Sequence, residues 1–229
     1  MDEFVSNGDD CCMSAKRNAA FRVPIHVVLA GTDRLSTLVP SIVHSFARGM
    51  SAPGANRVMY RPTDTEDSRN YVHQVADAEG LASLLQRLTG IVIITGHGRL
   101  DREDWELCIG DSSIDVESLT QSVPDGTVKA DLLIVDACFA ERSRRCWRRV
   151  LHNDGVLLTA IGIIELKSAA QVYVGLLSAI ANRPGTARPT RECWESAFHA
   201  VEESLKIYSD MGGAKLRTRE PPYSAFMLN

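Results

Sequence analysis

The chain alternates between short runs of consecutive apolar residues and longer stretches in which apolar residues recur every three or four positions. Continuous Val, Ile and Leu runs are typical of strands buried on both faces of a parallel sheet. Apolar residues at helical spacing are typical of helices that pack against such a sheet. The repeated succession of the two patterns predicts an α/β fold: a doubly wound, mainly parallel sheet with helices on both faces, in a single domain.

Several runs predict individual strands. Four apolar runs predict buried strands: VPIHVVLAG (23–31), GIVIITGHG (90–98), ADLLIVDACFA (130–140) and GVLLTAIG (155–162). The more polar run RVMYRP (57–62) predicts a strand near an edge, and PYSAFML (222–228) predicts an edge strand. The segment 104–115 predicts a short hairpin, because two alternating runs flank a Gly-Asp turn.

The segments between these strands predict helices. They cover about 36–48, 77–88 with Asp77 as N-cap, the residues after a possible cap at Asp115, 140–152, 167–182 and 190–208. Residues 1–20 are polar and aperiodic, which predicts a disordered tail before a domain over 21–229.

Composition narrows the class of protein. The chain has 229 residues, 45% of them hydrophobic, and a formal net charge of −4, which argues against a dedicated nucleic-acid or membrane-surface protein. No apolar run approaches the ~18 residues of a membrane span, and the N-terminus has no apolar signal segment. The six cysteines show neither disulfide nor zinc spacing, which indicates a reducing compartment. We therefore expect a cytoplasmic protein without a metal or cofactor.

Two of the predicted strands end in reactive side chains. One closes on His97 and the other on Cys138. The carboxyl ends of parallel strands meet at one edge of a sheet, where ligands bind in α/β proteins. A thiol beside an imidazole is a nucleophile with its activator, and the helix predicted after Cys138 favours the thiolate. Strand alternation also places Asp136 on the same face as Cys138.

The segments ITGHG (94–98) and LLIVDAC (132–138) carry a resemblance to a known family. They resemble the two blocks of the caspase-like cysteine peptidases, which comprise caspases, metacaspases, paracaspases and bacterial CHAT proteins. The later segments ECWESAFHAVEES (192–204) and PPYSAFMLN (221–229) resemble the CHAT and metacaspase-like members most. Phe139 and Ala140 depart from the Ser or Thr and the Gly that many relatives have after the cysteine.

The resemblance implies a cysteine endopeptidase that cleaves protein substrates after Arg or Lys through an acyl-enzyme. In this interpretation Cys138 is the nucleophile and His97 the general base and acid. The backbone N–H groups of Gly98 and Cys138 form the oxyanion hole, and Asp136 and Asp33 line the pocket for the basic side chain. By analogy we expect a bacterial stress or defence effector, regulated by a partner protein or by homo-oligomer formation.

Other interpretations stay open. The changes after Cys138 also suit an inactive caspase-like adaptor within a larger assembly, and an unrelated flavodoxin-like module would leave both residues incidental. Asp136 also suits a cap on backbone N–H groups, although the pocket is favoured, whereas an isolated Asp such as Asp33 is more commonly a helix cap. The acidic cluster 101–104 suits either calcium or, more commonly, solvent. A run of arginines follows Cys138: Arg142, Arg144, Arg145, Arg148 and Arg149. It suits a solvated helix face or an acidic partner; nucleic acid is not expected.

Overall fold

The structure is a computed structural model of the whole chain, and it describes residues 24–31, 38–41, 43, 72–101, 104–163, 166–181, 189–210 and 226–228. Several sequence predictions lie wholly or partly outside these residues: the disordered tail at 1–20, the edge strand at 57–62, the pocket residue Asp33, most of the helix at 36–48 and part of the acidic cluster 101–104.

A six-stranded sheet forms the centre of the molecule, with the strand order β2-β1-β3-β7-β8-β9. Its strands are β1 (Ile25–Leu29), β2 (Val72–Gln74), β3 (Thr89–Thr95), β7 (Lys129–Asp136), β8 (Val156–Ala160) and β9 (Phe226–Leu228). All neighbours pair in parallel except β8 and β9, which are antiparallel. The four predicted buried strands and the final edge strand are thereby confirmed.

The middle of the sheet is covered on both faces. Every residue of β8 is buried, as is every residue of β3 after Thr89 and of β7 after Lys129. Because successive side chains of a strand point to opposite faces, a strand buried throughout needs packing partners on both sides. The α/β fold predicted from these runs is confirmed.

A second, three-stranded antiparallel sheet branches from the end of β3. It consists of β4 (His97–Asp101), β5 (Asp104–Ile109) and β6 (Ser112–Asp115). The predicted hairpin corresponds to β5 and β6, whereas β4 was not predicted. His97 thus begins a strand of this small sheet, only one residue after β3 ends at Thr95.

Helices connect the strands. They are α1 (Ala78–Leu85), α2 (Val116–Gln121), α3 (Arg144–Val150), α4 (Leu166–Ala181) and α5 (Arg191–Asp210), and residues 38–41 and 43 are also helical. Asp77 caps α1 by accepting from Gly80 N, and Asp115 caps α2 by accepting from Glu117 N and Ser118 N, as predicted. Each cap satisfies backbone donors that a helix start leaves unpaired.

The helix predicted over 140–152 differs from the structure. The chain first forms a 3₁₀ turn, Ala140–Ser143, and the α-helix α3 begins only at Arg144. Phe139 has a left-handed backbone, with φ at 61°, and Ala140 N donates to Ala137 O. This sharp turn at the strand end prevents an α-helix from starting directly after Cys138.

Ser143, in the 3₁₀ turn, provides the hydrogen-bond acceptor for the buried indole of Trp147 in α3. The Trp147 indole N–H donates to Ser143 Oγ at 2.9 Å, and the Ser143 hydroxyl donates to Ala140 O at 3.0 Å.

We predict that Ser143→Ala lowers the free energy of unfolding by about 1–3 kcal/mol, because the buried indole N–H loses its acceptor. Urea denaturation measures the change. The control is Ser122→Ala on the exposed end of α2, whose hydroxyl bonds Leu119 O; equal losses in both variants would refute the argument.

Candidate active site

The carboxyl ends of β3 and β7 lie side by side. Thr95 of β3 is paired with Asp136 of β7, and the next residue, Gly96, donates its N–H to Asp136 O at 3.2 Å. Parallel pairing therefore continues to the edge of the sheet, and both chains leave it at the same level. Two residues beyond this pair, His97 follows Gly96 on one chain and Cys138 follows Ala137 on the other.

Gly98 lies against the backbone of Cys138. A Cβ atom at Gly98 would overlap the Cys138 carbonyl oxygen and would lie 2.8 Å from Trp105 Nε1. The Trp105 indole N–H donates to that same carbonyl at 2.7 Å. Only a residue without a side chain allows this approach, so Gly98 is the point at which the His97 strand and the Cys138 loop touch.

The Cys138 loop is also held from the side of β8. Phe139 N donates to Gly162 O at 2.9 Å, just beyond the end of β8. A left-handed φ at a bulky residue is uncommon and costs of order 1 kcal/mol, so the surrounding contacts must maintain it. Trp105 of β5 and Gly162, just after β8, thus hold the carbonyl and the N–H of the same Cys138–Phe139 peptide from two sides.

Both candidate reactive residues reach solvent. His97 is exposed, and Cys138 is partly buried and is a free thiol. A reagent or a peptide can therefore approach this edge. Because Cys138 is followed by a 3₁₀ turn, the thiol does not lie at the N-terminus of a long α-helix, and the expected dipole contribution to the thiolate is correspondingly smaller.

A second thiol, Cys108, lies directly across the small sheet from His97. The two residues are register partners in the antiparallel pairing of β4 with β5. Burial raises the pKa of the Cys108 thiol, with Arg99 opposing and Glu106 adding to the rise. Cys108 was not predicted to lie near the site, because only the unpredicted strand β4 brings it opposite His97.

Asp136 is buried beneath this edge, with 6% of its surface exposed. Burial raises the pKa of its carboxyl to about 6, and hydrogen bonding from Tyr173 and Thr95 opposes the rise. Burial, together with the charge of Asp136, in turn raises the pKa of Tyr173. A basic substrate side chain would have to enter this buried position to reach the carboxylate. Tyr173, on α4, was not predicted; its signal was a single phenol among the apolar residues of that helix.

Comparisons with known proteins bear on the fold. No family model matches the chain, and no curated protein matches its sequence. Among solved structures, the crystal structure of caspase-1 from Spodoptera frugiperda is similar, with a TM-score of 0.52 and 12% sequence identity over 93% of this chain and 89% of that chain.

The fold is caspase-like. At this sequence identity the likeness extends to the fold alone, so the roles of His97 and Cys138 rest on the geometry of this chain. The caspase-like fold does provide a reason for their position, since ligands of α/β sheets bind beyond the carboxyl ends of the strands.

Among the described residues of this caspase-like domain, no group of three or more His, Cys, Asp and Glu residues could hold a metal ion. Glu103 of the acidic cluster, for which calcium was one interpretation, lies outside that part of the chain, as does the side chain of Asp101. In the same residues, no helix is long and apolar enough to cross a membrane.

The raised pKa of Asp136 predicts how stability depends on pH. Between pH ~4 and ~6 the unfolded state releases the proton that the folded state retains, so folding becomes less favourable as the pH rises. We predict that the unfolding free energy of the wild type, relative to that of Asp136→Asn, falls by about 3 kcal/mol between these limits, from a shift of about two units. Urea denaturation at a series of pH values measures the difference.

Asp115 provides a control of opposite sign. Burial raises its pKa, but the hydrogen bonds from Ser118 and Glu117 together outweigh this and lower it. The stabilisation from its charge is therefore lost as the pH falls, and the wild type should gain stability over Asp115→Asn as the pH rises. If the unfolding free energies of the wild type and of Asp136→Asn change in parallel with pH, Asp136 does not titrate in this range.

Proposed function

We propose that the chain is a cysteine endopeptidase in which Cys138 attacks the substrate and His97 transfers the proton. The observation that carries this proposal is the contact of Gly98 with the Cys138 carbonyl, because it joins the strand that begins at His97 to the loop that bears the thiol. The caspase-like fold, the exposure of His97 and the free thiol of Cys138 support it.

The proposed reaction proceeds in two steps. His97 accepts the Cys138 thiol proton as the sulfur attacks the carbonyl carbon of the scissile peptide. The N–H groups of Gly98 and Cys138 donate to the oxyanion that forms on the carbonyl oxygen. The C–N bond breaks, His97 gives its proton to the leaving amine, and a thioester remains on Cys138. Water, deprotonated by His97, then hydrolyses the thioester and restores the thiol.

We propose cleavage after Arg or Lys, with Asp136 as the charge partner. A carboxyl with a pKa of about 6 is mostly ionised at neutral pH, so it carries the negative charge that a guanidinium or ammonium group needs. Asp33, outside the described residues, is proposed as a second acidic residue of the same pocket. The resemblance to CHAT and metacaspase-like proteins supports this specificity, since their matching Asp lines such a pocket.

The biological setting is proposed from the same resemblance. We propose a cytoplasmic bacterial stress or defence effector that is controlled by a partner protein or by its own oligomerisation. The four described cysteines are free thiols, which agrees with a reducing compartment.

Hydrolysis of fluorogenic peptides tests the activity and its specificity together. We predict cleavage of peptides with Arg or Lys before the scissile bond, and none of matched peptides with Asp or Ala there. Cys138→Ala should abolish cleavage, and His97→Ala should lower kcat by about 10²–10⁴-fold. The matched controls are Cys108→Ala, which removes the thiol opposite His97, and His199→Ala, which removes a surface imidazole; both should keep wild-type rates.

The alternative function makes a different prediction for the same experiment. The bulky Phe139 after the nucleophile favours an inactive adaptor, because it departs from the residues common in active relatives. A folded wild-type protein that cleaves none of the peptides, with or without added partners, and whose Cys138 resists an Arg-directed thiol-reactive probe would overturn the peptidase proposal and leave the adaptor.

The close approach at Gly98 predicts the effect of adding one methyl group. In Gly98→Ala the new Cβ would overlap the Cys138 carbonyl, so the loop must shift away from the His97 strand. A displacement of about 1 Å between reacting groups costs roughly 10²-fold in rate. We expect kcat for the Arg peptides to fall by about that factor, while circular dichroism shows the fold retained. As a control, Gly126→Ala adds a Cβ with no atom within 4 Å, although at a positive φ; similar losses in both variants would contradict the contact's role.

A further inference from the structure

An arginine-lined cleft lies at the other edge of the sheet from Cys138. It encloses about 660 Å³ and is lined mainly by α3 and two loops. We call it the arginine cleft and define it by Arg144, Arg145, Arg148, Arg149, Asp125 and Asn153. Leu151, which also lines the cleft, forms a parallel β-bridge with Val128, the residue before β7 begins. Asn153 lies shortly before the start of β8, so the cleft is at the amino ends of both strands. Since Cys138 follows the end of β7, the length of this strand, roughly 25 Å, separates the cleft from the candidate active site.

Arg148 is fixed in position within this cleft. Its Nη1 donates to His152 O at 3.3 Å and to Gly155 O at 2.9 Å, and its Nη2 donates to Asn153 O at 2.8 Å. A guanidinium held by three carbonyls loses little further conformational freedom when it binds a ligand. The cleft therefore has a rigid cation at its base.

The cations of the cleft are crowded. Arg191 of α5 donates to Asn153 O at 3.4 Å, so two guanidinium groups meet at one carbonyl. Burial, and then the charge of Arg191, lower the pKa of Arg148. Lys129 adds a further cation nearby, where its Nζ donates to Gly126 O at 3.1 Å. Mutual repulsion of this kind is relieved by a bound anion.

Carboxylates offset only part of this charge. Asp125 is the one acidic residue among those lining the cleft, its side chain is 74% exposed, and it pairs with Arg149 at 3.2 Å. Arg191 pairs with Glu195 at 2.7 Å, and Arg144 interacts with Glu141. Arg144 and Arg145 are both exposed at the mouth of the cleft. This concentration of arginines stands out in a chain whose net charge is −4.

The shape and chemistry of the cleft indicate the class of ligand. Its volume falls in the range of sites for small molecules, about 300–1,000 Å³, whereas nucleic-acid surfaces extend along a basic stripe. Planar guanidinium forks bind phosphate oxygens in pairs, and several of them suit a ligand with adjacent phosphates. We propose that the arginine cleft binds a small polyphosphate, meaning an inorganic polyphosphate or a nucleoside triphosphate, at a site separate from Cys138 and His97.

Isothermal titration calorimetry with tripolyphosphate and with ATP tests this proposal on the full chain. We expect saturable binding of one ligand per chain for at least one of the two probes, weakened by added salt. Arg144→Ala/Arg145→Ala should weaken binding roughly tenfold or more, because each guanidinium supplies charged hydrogen bonds to the ligand. Both side chains are exposed, and thermal unfolding checks that the variant is folded.

Two controls separate the cleft from charge in general. Arg87→Ala removes an exposed arginine of the loop after α1 that does not line the cleft, and it should leave the affinity within about twofold of wild type. Cys138→Ala should bind like the wild type, so the result does not depend on the proposed peptidase activity. Absence of saturable binding, or equal weakening by Arg87→Ala, would overturn the proposal. Binding of an RNA oligonucleotide or an acidic peptide that needs Arg144 and Arg145, without binding of either probe, would overturn it as well.

Discussion

The close approach of Gly98 to the Cys138 carbonyl is the constraint on which the rest of the site depends. It requires a residue without a side chain, and the Trp105 indole N–H fixes the same carbonyl from the small sheet. The hydrogen bond from the Phe139 N–H to Gly162 O fixes the other side of the same peptide from the segment just after β8. Strands β4 and β5 and the segment after β8 therefore determine the position of one loop, and this explains how a left-handed Phe139 is maintained there.

The caspase-like sheet gives the molecule two chemically different edges. The carboxyl edge of β3 and β7 carries a thiol, an imidazole and a buried carboxyl, whereas the amino edge of β7 and β8 carries the arginine cleft. The Cys138 loop, the 3₁₀ turn and α3 run in sequence from the first edge to the second. The proposed anion binding and the proposed nucleophilic chemistry are thus kept apart by the length of a strand, although one continuous segment contributes to both.

The central strands were predictable because burial on both faces makes them continuous apolar runs, and the helix caps were predictable because Asp77 and Asp115 act locally. Strand β2 was missed because it has three residues and is not fully buried. The contact of His26 with His73, whose Nδ1 and Nε2 atoms lie 3.1 Å apart, was therefore missed as well. Strand β4 was missed because the Arg- and Asp-containing segment after His97 has no apolar alternation. Contacts between segments distant in the sequence determine which residues surround the site, and no local pattern predicts such contacts. This is why the roles of Trp105, Cys108 and Tyr173 were missed.

The proposed mechanism requires a substrate carbonyl to fit between Cys138, His97 and the Gly98 backbone. A crystal structure of the chain after reaction with an arginyl chloromethyl ketone tests it most directly. We predict a covalent bond to Cys138 Sγ, the ligand's carbonyl oxygen directed at the Gly98 N–H, His97 beside the bound group and the arginyl side chain directed toward Asp136. A reagent attached to Cys108 instead, or an adduct on Cys138 with His97 turned away from it, would contradict the account.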